Sequence, residues 1–434
     1  MARNRRTAHE QTLLEKAGRL LPSAVRGVTQ DPDQAFVVTE AHGSRLRDAS
    51  LNEYIDYLMG SGAILLGHAH PAVTEAVTSA ARSGSGYLIL NPHAVDLAEE
   101  IVSAVPCAER VSFHSSGSEA TFFALRLARA FRRRDKVLKF EGGFHGMSDA
   151  ALMSNQWTRT LADYPSAVPN SAGIPASARA DVLVAPYNDA EAGTWLIERR
   201  RDELAAVIVE PMQRTMTPAP GFLEALRDVT RRHGIPLIFD EVVTGFRLAY
   251  GGAQERYGVV PDLCAIGKSI SAGHPISAVC GRADIMDHLD PAVRTAAGYV
   301  AQTGTYGGNP VSCAAALAVL SELRRDGSYQ RLYDVGTRLM EGLRRVLWAA
   351  GVPAQVIGEP PAFEVWFTSE PVTDFRSSLE ADAAMHARFA ELLFERGILK
   401  AHEKFFVSLA HTDEDVERTI AAFREAATEL GKQK

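Results

Sequence analysis

The sequence predicts an α/β fold: a large domain with a mostly parallel, seven-stranded sheet and a smaller α+β domain. Three observations lead to this prediction. From residue 111 to about residue 325, short apolar runs alternate with amphipathic helical runs, as in a parallel sheet covered by helices on both faces. Residues 236–239 carry no polar side chain, which suits a strand buried on both faces. After residue 325, long helical runs with few short strands predict a separate domain.

The individual elements follow from the spacing of apolar residues and from the Gly and Pro residues between them. The N-terminal segment predicts, in order, a helix over 9–21, strands over 35–38 and 45–56 around a turn at Gly43, and a helix over 71–82. In the large domain the predicted strands are 111–114, 137–141, 182–185, 206–210, 237–240, 263–266 and 277–281. The predicted helices between them are 118–133, 189–202, 221–233 and 309–324. The C-terminal part predicts helices over 329–350, 383–397 and 413–430, with strands near 363–368 and 405–409.

These elements divide the chain at about residues 80 and 325. We expect an N-terminal segment over 1–80, the large domain over 81–325 and a C-terminal small domain over 326–434. Residues 154–180 are rich in Ser, Pro and Ala, and they predict a loop long enough to serve as an active-site lid.

Composition and charge exclude several classes of protein. The chain has 434 residues, a net charge of −7, 46% hydrophobic and 23% charged residues, which is typical of a globular protein that does not bind nucleic acid. No apolar run is long enough to span a membrane, and the first ten residues do not resemble a secretory signal. The four cysteines are widely spaced and form no Cys-x-x-Cys pair, so we expect no metal site, no disulfides and a cytoplasmic setting.

Two turns rich in glycine and hydroxyl groups precede helices and could bind phosphate. The first, Ser115 to Ser118, joins a strand to a helix whose first N–H groups could bind an anion. The same residues could instead cap the helix, with Ser116 at the N-cap, and the sequence leaves both interpretations open. The second turn, residues 302–310, contains Gly304 and Thr305 and opens another helix.

Charged residues stand at the ends of the predicted parallel strands. Glu210, Asp240 and Lys268 each follow an apolar strand, and ligands of open α/β sheets bind at the carboxyl ends of the strands. A buried acid needs a cationic partner, and Lys268 is the first candidate for Asp240. The turn containing Phe144 and His145 adds an aromatic ring beside paired glycines, which allow close approach of a ligand.

Together these pieces are what pyridoxal 5′-phosphate requires. A lysine amine forms the Schiff base with the cofactor, and this requires a neutral nitrogen and therefore a lowered pKa. A carboxylate keeps the pyridine nitrogen protonated so that the ring can accept electrons. The sequence therefore predicts Lys268 at the aldehyde carbon and Asp240 at the ring nitrogen, rather than a direct pair between the two.

The chain resembles the class III pyridoxal-phosphate aminotransferases of fold type I, and within them the glutamate-1-semialdehyde 2,1-aminomutase branch. The resemblance covers residues 43 to 425. It rests on the motifs Gly67-His68-Ala69-His70-Pro71, Ser116-Gly117-Ser118-Glu119-Ala120, Gly143-Phe144-His145-Gly146, Glu210-Pro211, Asp240-Glu241-Val242, Gly267-Lys268, Gly304-Thr305 and Ser408-Leu409-Ala410-His411-Thr412.

This resemblance implies a role for the motif residues. Lys268 would form the Schiff base and move the Cα proton, while Asp240 would pair with the pyridine nitrogen. The resemblance also implies that the cofactor is held by Ser116, Gly117, Ser118, Phe144, His145, Glu210, Val242, Gly304 and Thr305, in addition to these two. Val242 and Phe144 would pack on the two faces of the ring, and Thr305 would reach the phosphate of a neighbouring subunit. A homodimer with shared active sites follows, in which the N-terminal segment contributes to the small domain and the dimer interface.

Two departures from the aminomutase pattern bear on the substrate. The family's Gly-Gly-Val-Asn-Ser-Pro-Val-Arg run is shortened here to residues 21–27, which leaves Arg26 as a candidate for binding the substrate carboxylate. Ser61 replaces a tryptophan that precedes Gly67. These changes favour an aminotransferase that moves an amino group from a small-molecule donor to a keto or aldehyde acceptor. The alternative is the intramolecular aminomutase reaction, an isomerisation; a racemase, a decarboxylase or a catalytically silent binding protein is less favoured.

Overall fold

The chain forms two compact units. The computed structural model describes residues 6–22, 35–293, 298–400 and 404–432. As far as these residues go, the first unit comprises Met1–Pro71, Gly327–Pro371 and Glu380–Lys434, and the second comprises Ala72–Asp326 and Val372–Leu379. The two ends of the chain thus fold together. Residues 372–379 belong to the second unit, which differs from the predicted C-terminal domain over 326–434.

The secondary structure consists of short strands and mostly longer helices. In chain order the described strands are β1 Val38–His42, β2 Arg45–Asp48, β3 Glu53–Asp56, β4 Arg110–His114, β5 Lys136–Phe140, β6 Val182–Ala185, β7 Leu204–Val209, β8 Leu237–Glu241, β9 Leu263–Ile266, β10 Ser277–Gly281, β11 Gln355–Glu359, β12 Ala362–Trp366, β13 Ile398–Leu399 and β14 Phe405–Phe406. The α-helices are α1 Ala8–Leu20, α2 Met59–Gly62, α3 Pro71–Arg82, α4 Pro92–Ala104, α5 Gly117–Arg132, α6 Ala176–Ala180, α7 Ala190–Arg200, α8 Phe222–Arg232, α9 Gly252–Tyr257, α10 Ala283–Met286, α11 Pro310–Leu323, α12 Ser328–Ala349, α13 Phe375–Ser378, α14 Ala383–Glu395 and α15 Asp413–Gly431. Among the described helices, none is both long and apolar enough to cross a membrane.

The second unit is built on a mixed seven-stranded sheet, as the sequence predicts. The strand order is β4-β10-β9-β8-β7-β5-β6, and every neighbouring pair is parallel except the two that involve β10. Strands β6, β7, β8 and β9 are buried at every residue, because helices cover both faces of the sheet. Of these apolar strands, β7, β8 and β9 lie side by side in the interior of the sheet, whereas β6 is at its edge. The carboxyl ends of these parallel strands share one side of the sheet.

The first unit is an α+β structure made from both ends of the chain. One sheet has the order β1-β2-β3-β13, in which β13 from the C-terminal part pairs with β3 in parallel. A second sheet has the order β11-β12-β14. The rings of Tyr54 and Phe394 stack with their centroids 5.0 Å apart, which joins the two ends of the chain in a common apolar core.

The local structure differs from the predictions at several places. Residues 45–56 form two strands rather than one, because the carboxylate of Asp48 accepts hydrogen bonds from the N–H groups of Ser50 and Asn52 and bends the chain there. The predicted loop over 154–180 ends in the short helix α6. Helix α4 was not predicted, although Asn91 caps its N-terminus.

Candidate active site

The strand order brings the predicted charged residues of the second unit to one place. Strand β8 lies between β7 and β9, so Glu210, Asp240 and Lys268 occupy neighbouring positions at the carboxyl edge of three parallel strands. Each of these strands lacks polar residues until its end, because both of its faces are buried. The edge of the sheet is therefore the first position along each strand at which a charged side chain can lie outside the apolar core.

Lys268 lies directly after β9 in a short 3₁₀ turn. Its backbone φ is +40°, which is unusual for a residue with a side chain and indicates that the surrounding structure holds it in place. Burial lowers the pKa of Lys268 to about 8; the positive charge of Arg214 adds to this effect, while Asp240 opposes it. Among the described residues, its amine makes no hydrogen bond. The amine is therefore available as a nucleophile or a base near neutral pH.

Asp240 is a buried carboxylate with a fixed orientation. Its Oδ2 lies 2.8 Å from Nδ1 of His145, and its Oδ1 accepts a hydrogen bond from the N–H of Val242 at 3.2 Å. The backbone of His145 is in turn fixed, because its carbonyl accepts a 2.6 Å hydrogen bond from the hydroxyl of Thr121. The ring of His145, which was predicted to bind the cofactor, lies against Asp240.

Glu241, next to Asp240, is buried and holds the following loop. Its carboxylate accepts hydrogen bonds from the N–H of Ala253, the side-chain amide of Gln254 and the hydroxyl of Thr244. Burial raises the pKa of Glu241 to about 7 in spite of these bonds. Of the two adjacent carboxylates, Asp240 alone therefore lies with Glu210 and Lys268 at the carboxyl edge of the sheet. We call these three residues the edge cluster.

The turn that carries Phe144 and His145 is held by two buried charged residues. Glu210 accepts a 2.7 Å hydrogen bond from the N–H of Phe144. Lys139, in the middle of β5, donates to the carbonyl oxygens of Gly143 at 2.9 Å and Ala151 at 3.2 Å, and also to that of Met153. Burial lowers the pKa of Lys139 to about 7. We did not identify Lys139 from the sequence, although a lysine within an apolar strand was a visible signal.

The N-terminus of α5 presents free backbone donors. The hydroxyl of Ser116 accepts from the N–H of Glu119, and the carboxylate of Glu119 accepts from the N–H of Ser116, which together form a capping box. In the described part of the chain, the N–H groups of Gly117 and Ser118 have no partner. The capping and the anion-binding interpretations of this turn are therefore compatible, with Ser116 acting as the cap.

The start of α5 lies in close contact with the residue after β8 and with the turn that carries His145. A Cβ atom on Gly117 would lie 2.8 Å from Cγ1 of Val242, and a Cβ on Gly146 would lie 2.7 Å from Cα of Ser118. A Cβ on Gly267, the residue before Lys268, would lie 3.6 Å from Cγ1 of Val242, which is ordinary contact. Glycine thus permits the backbone to approach Val242 and Ser118 closely, as a site for a small bound molecule requires.

These features fit pyridoxal phosphate. Its phosphate could accept hydrogen bonds from the N–H groups of Gly117 and Ser118, and its ring could pack against the apolar side chain of Val242. Its pyridine nitrogen could pair with the oriented carboxylate of Asp240. Its aldehyde could react with the half-buried amine of Lys268, which makes no hydrogen bond to any described residue. The arrangement can hold an anion, fix a protonated ring nitrogen and supply a base of lowered pKa.

Gly304 and Thr305, which were predicted to bind the cofactor, are not joined to this cluster within the described residues. Gly304 and Thr305 lie in an exposed loop beside residues 87–91 and Phe113, and none of the hydrogen bonds among the described residues links them to Lys268. Ser61 lies in the first unit, in α2, with a backbone φ of +57°. Arg26 lies outside the described residues. The ring of Phe144 packs edge-on against Trp157, with the centroids 5.3 Å apart.

Comparisons with known proteins agree with this geometry. The model of the family "Aminotransferase class-III" matches residues 28–426. The glutamate-1-semialdehyde 2,1-aminomutase of Desulforudis audaxviator is 42% identical over 410 residues, which cover 93% of this chain and 92% of that protein. Among solved structures, an omega-transaminase from Sphaerobacter thermophilus has a TM-score of 0.92 at 34% identity, with 98% of each chain covered. A variant of a glutamate-1-semialdehyde-aminomutase from Pseudomonas aeruginosa PAO1, solved in complex with PMP, has a TM-score of 0.86 at 25% identity, with 97% of this chain and 94% of that chain covered.

Proposed function

The chain belongs to the class-III aminotransferases, a family of pyridoxal-phosphate enzymes, and from this premise we propose that Lys268 and Asp240 are the catalytic residues of an amino-group transfer between small molecules. The observation that carries the proposal is the amine of Lys268. The side chain is half-buried, its pKa is lowered to about 8, and it lies at the same sheet edge as Asp240, whose carboxylate is fixed by His145.

The chain's own groups would hold the cofactor from three sides. The N–H groups of Gly117 and Ser118 would bind the phosphate at the N-terminus of α5, where the helix dipole also favours an anion. Val242 would pack on one face of the ring, and Phe144 would cover the other. Asp240 would keep the ring nitrogen protonated, because a buried carboxylate stabilises a positive charge beside it.

Proton movement is the task that falls to Lys268. When bound, the cofactor supplies an aldehyde carbon that takes up an amino group and a ring that stabilises negative charge. Lys268 would accept the proton from the α-carbon of the substrate and return it at another position. Its lowered pKa suits this role, because an amine that is neutral near physiological pH can act as a base and then as an acid.

Two residues of the proposed site are expected to act across a homodimer. Gly304 and Thr305 would bind the phosphate in a neighbouring subunit, which agrees with their exposure in the single chain. Beside their loop, Leu88, Ile89 and Leu90 are 74%, 77% and 82% exposed. A continuous exposed apolar segment of this kind supports a partner surface. The homodimer and the cytoplasmic setting remain predictions.

Two reactions are candidates. The replacement of the expected tryptophan by Ser61 favours an aminotransferase with separate donor and acceptor. The aminomutase name of the relative from Desulforudis audaxviator favours the second candidate, in which nitrogen moves within one molecule. Arg26 would bind a substrate carboxylate in either reaction, so the two candidates differ in whether an external acceptor is needed.

The cofactor proposal is tested by absorption spectroscopy of the purified protein. After reconstitution with pyridoxal phosphate, the wild type should show the visible absorption of a covalently bound cofactor, and Lys268→Ala should abolish it. Lys136→Ala is the matched control, because Lys136 is a partly exposed lysine at the start of β5 that pairs with Glu203. A colourless reconstituted wild type, or a Lys268→Ala variant that keeps the absorption, would contradict the assignment.

A screen of amino donors then separates the two reactions. An aminotransferase should convert its cofactor to the amine form with a suitable donor alone and recover the starting spectrum with a keto acid or aldehyde. Turnover of glutamate-1-semialdehyde with no added acceptor would instead support the aminomutase. An enzyme that converts neither class of substrate would contradict both.

A further inference from the structure

The imidazole ring of His145 has a second nitrogen that the proposed site does not use. Its Nδ1 lies 2.8 Å from the carboxylate of Asp240. Its Nε2 is buried and, in the described part of the chain, has no hydrogen-bond partner. A buried polar atom without a partner is uncommon in proteins, because it loses its hydrogen bonds to water and gains none in return. The surroundings of Nε2 therefore bear on how His145 supports Asp240.

Gln213, in the segment after β7, carries a second buried atom of this kind. Its side-chain nitrogen donates a 2.7 Å hydrogen bond to the backbone carbonyl of Glu141. Because a carbonyl oxygen can only accept, this bond fixes which end of the amide is the nitrogen and therefore where Oε1 lies. Gln213 is fully buried, and within the described ranges its Oε1 accepts no hydrogen bond. The chain thus holds an oriented acceptor that lacks a donor.

These two atoms meet beside Gly143. The three atoms nearest to the position of a Cβ on this glycine are Nε2 of His145 and the carbonyl oxygen of Phe140, each at 3.1 Å, and Oε1 of Gln213, at 3.3 Å. Glycine allows the three atoms to gather there, because any side chain would press against them. The carbonyl of Phe140 already accepts from the N–H of Gly143. Oε1 of Gln213 is the neighbouring acceptor that still needs a donor.

From this geometry we propose that Gln213 is a positioning residue, which accepts a hydrogen bond from a proton on Nε2 of His145, directly or through one water molecule. The two oxygens beside Nε2 are acceptors, so a proton on Nε2 can bond to them, whereas a bare Nε2 would face their lone pairs. On the other side of the ring, Nδ1 faces a carboxylate oxygen, so a second proton lies between Nδ1 and Oδ2 of Asp240. The pair of His145 and Asp240 then holds two protons and has no net charge.

Gln213 acts on the reaction through the ring of His145, and this consequence rests on the proposed function. An imidazole that is held at both nitrogens is restrained from rotating, so Oδ2 of Asp240 stays engaged. Oδ1 of the same carboxylate accepts from the N–H of Val242 at 3.2 Å. The carboxylate is therefore kept in one orientation for the ring nitrogen of the cofactor.

The direct test is proton and nitrogen NMR of protein whose histidines are labelled with ¹⁵N, recorded with and without pyridoxal phosphate. We expect a ring-proton signal that is absent from His145→Ala and that is attached to Nε2. A His145 ring that is protonated at Nδ1 alone would overturn the proposal. Because the signal is also read without the cofactor, a protein that binds no pyridoxal phosphate would contradict the proposed function and still decide where this proton lies.

A variant of Gln213 tests whether the proton depends on that residue. Gln213→Met removes the acceptor at similar length, so the Nε2 proton should exchange with water at least about tenfold faster than in the wild type. Gln254→Met is the matched control: Gln254 is also a buried glutamine, but its side chain bonds to Glu241 and to the N–H of Cys107. The exchange rate should keep its wild-type value in this control. An unchanged rate in Gln213→Met would overturn the proposal.

Kinetics of the holoenzyme test the consequence for the reaction. Gln213→Met should lower kcat about tenfold, as expected for one lost hydrogen bond, and should change the KM of the amino donor less than about twofold. In a His145→Ala background the same substitution should leave kcat unchanged, because Gln213 acts through that ring. A loss of kcat that persists in the absence of the ring would show a direct or purely structural role and refute the positioning role.

Discussion

Replacing Lys139 by methionine should remove a pH-dependent part of the stability. Lys139 is fully buried in β5 and, among the described residues, donates only to carbonyl oxygens. Burial lowers its pKa to about 7 from an ordinary value of 10.5. In the unfolded chain the amine remains protonated up to about pH 10. The folded protein therefore binds fewer protons than the unfolded chain above pH 7, and its stability rises with pH in this range.

The size of the effect follows from the two pKa values. One pKa unit corresponds to roughly 1.4 kcal/mol, so the contribution of Lys139 to the free energy of unfolding should increase by roughly 2 kcal/mol between pH 7 and pH 9. Methionine has a side chain of similar length to lysine, and it carries no titrating group. The unfolding free energy of the wild type minus that of Lys139→Met should therefore increase by roughly 2 kcal/mol from pH 7 to pH 9.

The assay is urea unfolding at fixed protein concentration, followed by tryptophan fluorescence at both pH values. Lys136→Met is the control, because Lys136 lies on the same strand, is 30% exposed at its side chain and pairs with Glu203; its pH trend should match that of the wild type. A difference between wild type and Lys139→Met that is the same at both pH values would refute the reasoning. It would mean that the buried amine keeps its proton throughout this range.

Three further predictions concern the site. Asp240→Ala should retain cofactor attachment while kcat falls about 10²–10³-fold, the loss typical for removing one oriented charged group; normal turnover at saturating donor would disprove its role. His145→Ala should cause a smaller loss, and the double variant should be no slower than Asp240→Ala, because His145 acts through that carboxylate; losses that add would show an independent role. Gly117→Ala places a Cβ 2.8 Å from Cγ1 of Val242, so the dissociation constant of the cofactor should rise about tenfold. Adding Val242→Ala should partly restore cofactor binding. A double variant that binds the cofactor no better than Gly117→Ala would exclude this clash as the cause.

Much of the fold could be predicted from the sequence because its elements are encoded locally. The strands over 182–185, 263–266 and 277–281 have the predicted bounds, since each is a short apolar run ended by Gly, Pro or a charged residue. Helix α5 begins one residue before its predicted start, because the capping box of Ser116 and Glu119 marks its N-terminus. The placement of Asp240 and Lys268 at strand ends follows from the same local pattern.

Helix α4 and the place of residues 372–379 in the second unit could not be predicted from the sequence, for two separate reasons. Helix α4 follows the exposed apolar residues 88–90, so the apolar pattern continues outside the helix and hides where it begins. Residues 372–379 are linked to the second unit by Arg376, which bonds to Glu141. Such a contact joins residues 235 apart in the chain, and no local pattern predicts it.

The sequence by itself determined the strands, the helix caps and the charged residues at the ends of the strands, because these depend on neighbouring residues. Only the tertiary structure decided what those residues contact. The pairing of His145 with Asp240 joins positions 95 residues apart, and the meeting of Cys264 with Cys280 depends on β10 being inserted between β4 and β9. Strand order is fixed by burial of the whole sheet rather than by any local run. The chemistry of the site therefore resides in contacts that form only when the sheet is assembled.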